Sequence, residues 1–201
     1  MTNWYLTKKQ RELVAELDQL SRWCELDYHD VEEYDPEYRT THLEMAKNKL
    51  IRSHVIMAYT LVDEFLNCEI CWYQFGKKRS FIQLWHTKKF QRFNYYVIEG
   101  LSLLQKLRYV KSFVNIPKGI VTDIERLNSL RNGLAHSFFP ENLRSSKSQW
   151  KGIKIFTLDG IKAFSVDMQH IKDFFFGRWG NKKGHSGFLG NEEKGPYVAV
   201  F

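Results

Sequence analysis

The stretch from Thr41 to Phe65, THLEMAKNKLIRSHVIMAYTLVDEF, gives the strongest indication of the fold. Its apolar positions recur at steps of three and four residues, with one polar interruption at His54. They are Leu43, Ala46, Leu50, Leu61 and Phe65. This spacing is typical of a helix that is buried along one stripe. It predicts a single long helix from about residue 41 to residue 75.

Three further helices are predicted from the same kind of pattern. The first covers about residues 7–26, with Thr7 as its N-cap. The third covers about residues 94–113. The fourth opens at Pro117, which is allowed in a first helical turn, and continues to about His136. We therefore expect a mostly α-helical fold, in which residues 1–140 form an antiparallel bundle of four to five helices.

The pattern changes after residue 140. Residues 151–156 alternate polar and apolar side chains, as a strand does, and Asp159-Gly160 is typical of a two-residue hairpin turn. Asp167 is predicted to cap a short helix that ends at Phe176. Residues 141–176 are thus expected to form a small β-hairpin and a short helix packed on the bundle. The glycine-rich residues 177–201 are expected to be a mobile tail.

Composition limits the classes of protein that remain. The chain is 43% hydrophobic, which is enough for a core, and no apolar run approaches the ~20 residues that span a membrane. Its three cysteines, an odd number, argue against a disulfide framework and predict a cytoplasmic protein. Residues 1–40 carry 10 acids and 5 bases, and the remaining residues carry 13 acids and 25 bases. That basic body suits a polyanionic partner, although an ordinary solvated surface is the alternative.

The strongest candidate catalytic residues lie in the hexapeptide RNGLAH, residues 131–136. Arginine can hold a phosphate with a planar fork of donors, and histidine can exchange a proton near pH 7. Together they suffice to cleave RNA without a metal. In the fourth helix Arg131 continues an apolar series with steps of four and three, namely Ile120, Ile124, Leu127, Arg131 and Leu134. An arginine there must be paired, or must face a cavity or a partner subunit.

Two interpretations of this arginine stay open. It could be a core residue paired with Asp63 or Glu64, beside a histidine that only ends the helix. Alternatively, Arg131 and His136 act on one target, with Asn132 orienting the imidazole. On a regular helix the two side chains lie about 140° apart. Either Gly133 bends the helix, or two copies of the helix supply the groups jointly.

The segment LNSLRNGLAH, residues 127–136, at the end of a small helical bundle, resembles the motif of the HEPN domain family. The resemblance implies a helical bundle that dimerises through its motif-bearing helices and acts as an endoribonuclease without metal or cofactor. It implies that Arg131, Asn132 and His136 are the catalytic residues. Many members belong to toxin–antitoxin, phage-defence or RNA-processing systems, which implies an antitoxin or defence partner. One subgroup carries a modified Tyr two residues after the His; Phe138 occupies that position here, so the same control is not expected.

A basic and aromatic connection precedes the third helix and is a predicted RNA-binding segment. Its cations are Lys77, Lys78, Arg79, Lys88, Lys89 and Arg92, and its aromatic residues are Phe81, Trp85, Phe90 and Phe93. Cations and rings together can hold a phosphate backbone and stack bases. The alternative is a connection whose aromatic side chains pack into the bundle.

The remaining candidates favour structural roles. Cys68 and Cys71 form one C-x-x-C with no second pair, so core packing is favoured over zinc binding. His29 lies among acidic residues and is interpreted as part of a loop, so no metal site is predicted. The leading hypothesis is a homodimeric ribonuclease. The alternatives are a non-catalytic module that dimerises or binds RNA or a nucleotide, and a sensor subunit of a defence system.

Overall fold

Helices dominate this chain because apolar residues recur every three or four positions over most of its length. The computed structural model describes residues 6–24, 35–76, 86–135 and 148–180. They form six helices and one two-stranded antiparallel hairpin near the C-terminus, which confirms the predicted mostly α fold. The helices are α1 (Lys8–Cys24), α2 (Arg39–Phe75), α3 (Lys88–Phe93), α4 (Leu103–Lys111), α5 (Lys118–Ala135) and α6 (Leu158–Gly180). The strands are β1 (Gln149–Trp150) and β2 (Ile153–Lys154).

The chain divides into two compact units that are each discontinuous in sequence. The first unit comprises Met1–Tyr59 and Arg126–Met168, and the second comprises Thr60–Glu125 and Gln169–Phe201. The predicted boundary at residue 140 lies outside the described residues. Residues 181–201 of the predicted tail also lie outside the described residues. The first residues of that tail, 177–180, belong to helix α6.

In the first unit, α1 packs its leucine face on the beginning of α2. The core there contains Leu6, Leu17, Leu43 and Leu50, and partly buried Leu13, Val14 and Ala46 lie against it. The predicted N-cap of α1 is confirmed: Thr7 Oγ1 accepts the amide of Gln10 at 3.2 Å, and Gln10 Oε1 accepts the amide of Thr7 at 2.9 Å. This reciprocal pair satisfies two amides that the start of a helix leaves open.

The hairpin is present, but its predicted turn at Asp159-Gly160 is wrong. The strands pair Gln149 with Lys154 and Trp150 with Ile153, so the turn is Lys151-Gly152, with φ of 49° and 87°. Asp159 and Gly160 instead belong to the first turn of α6. Glycine is needed there for close approach, because a Cβ at Gly160 would lie 2.1 Å from the carbonyl oxygen of Lys154.

The predicted start of the last helix at Asp167 is also wrong. Helix α6 begins nine residues earlier, at Leu158, and Asp167 lies in its middle. Its carboxylate accepts the indole N–H of the fully buried Trp150 at 2.7 Å and contacts Lys151 Nζ at 2.7 Å. An aspartate that resembled a helix cap in the sequence therefore fastens the hairpin to α6.

The close approach at Gly160 gives a stability prediction. Gly160→Ala must push the start of α6 away from β2, and we expect it to destabilise the protein by roughly 1–3 kcal/mol. Gly177→Ala, in the same helix with no atom near the added methyl group, is the matched control. It should be neutral or stabilising by up to about 1 kcal/mol, since alanine is the better helix former. Urea denaturation of both variants measures the difference; equal midpoints would contradict the packing described here.

In the second unit, the end of α2 packs on the end of α6 through aromatic rings. Phe65 contacts Phe175 and Trp179, with ring centroids 5.3 and 5.4 Å apart, and Trp72 meets Trp179 at 5.3 Å. Buried Glu69 accepts hydrogen bonds from Arg178 Nε at 3.2 Å and from Trp179 Nε1 at 3.1 Å. The two helices are therefore joined by a buried polar contact as well as by apolar area.

The single third helix predicted over residues 94–113 is wrong. Helix α3 starts earlier, at Lys88, where Thr87 accepts the amide of Phe90 at 3.2 Å. It continues into a π-helical turn, Asn94–Ile98, and the helix then breaks before α4 begins after Ser102. Gly100 lies in this break, and Gln105 Oε1 accepts the amide of Ser102 at 2.8 Å, which starts the new helix.

Candidate functional site

The motif arginine lies in the last turns of α5, in the first unit. Ile124, Leu127, Leu130 and Leu134 of this helix are all at most 3% exposed, and they fix its orientation. Arg131 lies at the edge of that buried stripe and is half-buried, whereas Asn132 is exposed. Gly133 is helical and buried, so α5 runs without a break to Ala135. His136, the third predicted catalytic residue, lies outside the described residues.

The guanidinium of Arg131 is held by two uncharged groups. Its Nη1 donates to Asn132 Oδ1 at 3.2 Å, and its Cζ lies 5.0 Å from the ring centroid of Tyr59. A cation placed over an aromatic face is attracted by the ring quadrupole without being neutralised. Within the described parts of the chain, the positive charge of Arg131 is therefore held in place and is not balanced by a carboxylate.

Asp63, one of the two acids expected as a possible partner of Arg131, has a different partner within the second unit. Lys106 of α4, only 4% exposed, donates to both carboxylate oxygens of Asp63 at 2.9 and 2.7 Å. Glu64, the other acid considered, has an exposed side chain. The buried cation that Asp63 compensates is therefore a lysine of the second unit.

A second arginine, Arg52 of α2, lies against the end of α5 and was not anticipated from the sequence. Its Nη1 donates to the carbonyl oxygen of Leu134 at 2.5 Å, and its Cζ lies 5.6 Å from the ring centroid of Phe156. Burial lowers the pKa of Arg52 from its ordinary value. The last four carbonyl groups of a helix have no partner within it, so this arginine satisfies one of them and fixes the helix end.

Arg52 and Tyr59 are seven residues apart on α2 and therefore lie on the same side of that helix. Arg52 contacts the backbone at Leu134 and Tyr59 contacts Arg131, so α2 and the end of α5 run antiparallel here. The sequence feature that could have indicated this contact is the pair Arg52 and Tyr59, seven positions apart beside the apolar stripe of α2. That feature does not identify the partner helix. The end of α5 is thus held to α2 at two positions, which lie about two helical turns apart on α2.

The predicted RNA-binding residues are placed only in part. Lys77, Lys78 and Arg79 lie outside the described residues, as do Phe81 and Trp85. Lys88, Lys89 and Arg92 are exposed on α3, in the second unit. Phe90 is 2% exposed, and Phe93 packs on Phe75 with ring centroids 5.3 Å apart. For these two rings the alternative of packing into the bundle is correct, so they are not free to stack on bases.

The C-x-x-C pair is part of the core. Cys68 and Cys71 are both buried free thiols. Burial raises the pKa of both, that of Cys71 to about 12, and the charge of Glu64 raises both further. Such thiols stay protonated near neutral pH and are poor ligands. Within the described ranges, no group of three His, Cys, Asp or Glu side chains is placed to hold a metal ion. None of the described helices is both long and apolar enough to cross a bilayer.

Comparison with known proteins adds no further constraint on these residues. No protein-family model, no curated protein and no solved structure matches this chain.

Proposed function

We propose that this protein is a metal-independent endoribonuclease of the HEPN type that acts as a homodimer. The observation that carries the proposal is the environment of Arg131. Its guanidinium is fixed by Tyr59 and Asn132, and its charge is not balanced by a carboxylate within the described chain. A fixed arginine whose charge no carboxylate balances can receive an anion, and the phosphate of RNA is an anion with matching geometry.

The proposed mechanism gives one role to each residue of the motif. His136 takes the proton of a ribose 2′-hydroxyl, whose oxygen then attacks the adjacent phosphorus. The bond from phosphorus to the 5′-oxygen breaks, and that oxygen receives a proton from an imidazolium. Arg131 neutralises the charge that grows on the phosphoryl oxygens, and Asn132 positions the arginine fork. The products carry a 2′,3′-cyclic phosphate and a 5′-hydroxyl.

The regular course of α5 supports the proposal of a dimer. Side chains five positions apart on a regular helix leave it about 140° apart, and the described part of α5 is regular through Gly133. Two groups with that spacing on one helix do not readily reach a single target. Two copies of α5 related by a two-fold axis can bring Arg131 of one protomer near His136 of the other. Each dimer would then contain two equivalent composite sites.

This arrangement predicts complementation between two inactive variants. Arg131→Ala and His136→Ala are each expected to be inactive as homodimers. When the two are mixed and allowed to exchange subunits, one site of each mixed dimer is intact, and about a quarter of wild-type activity should return. The quarter arises because half of the dimers are mixed and each has one working site. Cleavage of a labelled RNA by the mixture is the measurement.

Two results would contradict the composite site. One is a mixture as inactive as its components, although mass spectrometry shows that subunits have exchanged. The other is a wild-type protein that light scattering finds to be monomeric at tens of micromolar. A monomer that still cleaves RNA would retain the ribonuclease proposal and remove the dimer from it.

RNA binding without catalysis is the second candidate function, favoured by the exposed cations of α3. A role as a toxin or phage-defence effector, with an antitoxin or other defence partner, follows from the ribonuclease proposal. It predicts that induced expression of the wild-type protein arrests bacterial growth whereas expression of His136→Ala does not. Equal growth of both cultures, at equal protein levels, would argue against a toxic role.

A further inference from the structure

The excess positive charge of the chain is concentrated in residues 70–122. This stretch holds ten Lys or Arg residues and a single acid, Glu99, for a net charge of +9. The rest of the chain holds the other 20 bases and 22 acids, for a net charge of −2. The attraction to polyanions that was expected for the whole chain therefore comes from this one stretch. All of it belongs to the second unit.

Within this stretch, two neighbouring tyrosines are directed to solvent. Tyr95 is 65% exposed and Tyr96 is 75% exposed, and their rings meet at 90° with centroids 4.9 Å apart. Both lie in the π-helical turn Asn94–Ile98. Such turns are rare and occur frequently at functional sites. Two bare aromatic faces contribute nothing to the core, so their exposure suggests a ligand that stacks on rings.

The turn that carries the tyrosines is firmly anchored. Phe90 before it and Ile98 at its end are each 2% exposed, and Phe93 packs on Phe75 of α2. Asn94 Nδ2 donates to Glu99 Oε1 at 2.9 Å across the turn, which also engages the one carboxylate of the stretch. Buried side chains on both sides therefore hold the two exposed rings in a fixed position.

Cations precede the rings along the same helix. Lys88, Lys89 and Arg92 are exposed on α3, one to two turns before Tyr95 and Tyr96. Lys88 and Arg92 are four residues apart and Arg92 is three and four residues from the tyrosines, so these side chains share one side of the helix. Positive groups followed by bare rings are the combination that holds a phosphate backbone and stacks its bases.

We infer that this face of α3 and the π-helical turn binds single-stranded RNA. Bases stack on Tyr95 and Tyr96, and Lys88, Lys89 and Arg92 neutralise the phosphates beside them. The strand must be unpaired, because the bases of a duplex already stack on each other and cannot reach a protein ring. The role of this face as a substrate site rests on the proposed function. Binding of RNA to it can nevertheless be measured without cleavage.

The test uses full-length protein and a fluorescent 2′-O-methyl RNA, which lacks the attacking hydroxyl and cannot be cleaved. Fluorescence anisotropy gives Kd for the single strand and for a duplex of the same sequence. Tyr95→Ala and Tyr96→Ala are each expected to weaken single-strand binding roughly 5- to 100-fold, whereas the Tyr→Phe variants stay within about twofold of wild type because they keep the ring. Tyr38→Ala, at an exposed tyrosine of the first unit, is the matched control and should not change Kd.

Four results would overturn the inference. They are a wild-type protein that does not bind the single strand, alanine variants with unchanged Kd, phenylalanine variants as weak as alanine variants, and equal losses for single strand and duplex. The last result would mean that the two rings do not distinguish unpaired from paired RNA. Failure of the proposed ribonuclease gives a different pattern: cleavable RNA is then bound normally, with Tyr95 and Tyr96 contributing, and remains uncut.

Discussion

Arg131→Ala is expected to cleave RNA at least ~100-fold more slowly than the wild type, because it removes the cation that stabilises the charged transition state. Arg131→Lys should also lose most of the activity, since lysine keeps the charge but not the two-pronged geometry. The fold should survive both changes, because Arg131 is only half-buried and its contacts are with Asn132 and Tyr59. Single-turnover rates with a labelled RNA measure the effect.

Arg126→Ala is the matched control for this series. Arg126 is an exposed arginine five residues earlier on α5, so its loss removes the same charge from the same helix. Its rate should stay close to that of the wild type. If Arg126→Ala and Arg131→Ala slow cleavage equally, the effect reflects net charge, and Arg131 has no special role.

The largest expected effect on stability is at Glu69. Glu69→Ala leaves the guanidinium of Arg178 and the buried indole N–H of Trp179 without their shared acceptor. Removing one partner of a buried ion pair costs about 3 kcal/mol or more. For a chain of this length we expect the melting temperature to fall by roughly 6–12 °C.

Glu64→Ala, at an exposed glutamate of the same helix, is the control and should change stability by no more than about 0.5 kcal/mol. Glu69→Gln should lie between the two, since it keeps one acceptor oxygen and loses the charge. It also provides a measurable variant if the alanine protein does not fold. If Glu69→Ala has the same melting temperature as the wild type, this contact does not hold α6 to α2.

The long helices could be predicted from the sequence because many apolar residues repeat the same period. Helices α1, α2 and α5 begin and end within about two residues of their predicted limits. His54, the one polar residue in the stripe of α2, is accommodated by Ser165 Oγ at 3.1 Å and by the edge of Phe164. Its partner lies 111 residues away, so local pattern could not supply it.

The errors occurred where a local pattern had two physical meanings. Asp-Gly is a good hairpin turn, but Gly160 serves the close approach of α6 to β2, and the turn is formed by Lys151-Gly152. The break between α3 and α4 was missed because apolar residues continue across it. At the site, the side-chain chemistry of the motif was enough to identify Arg131 and Asn132 from the sequence. The roles of Tyr59 and Arg52 could not be predicted, because they depend on α2 lying beside α5.

His136→Ala provides the most direct test of the central claim. Purified wild-type protein and this variant are incubated with an end-labelled RNA in EDTA, and the new 3′ ends are analysed. Circular dichroism of the variant establishes that it is folded. We predict that the wild type produces 2′,3′-cyclic phosphate ends at the same rate with and without EDTA, and that the variant is at least ~100-fold slower. A folded His136→Ala protein that cuts RNA at the wild-type rate would contradict the account.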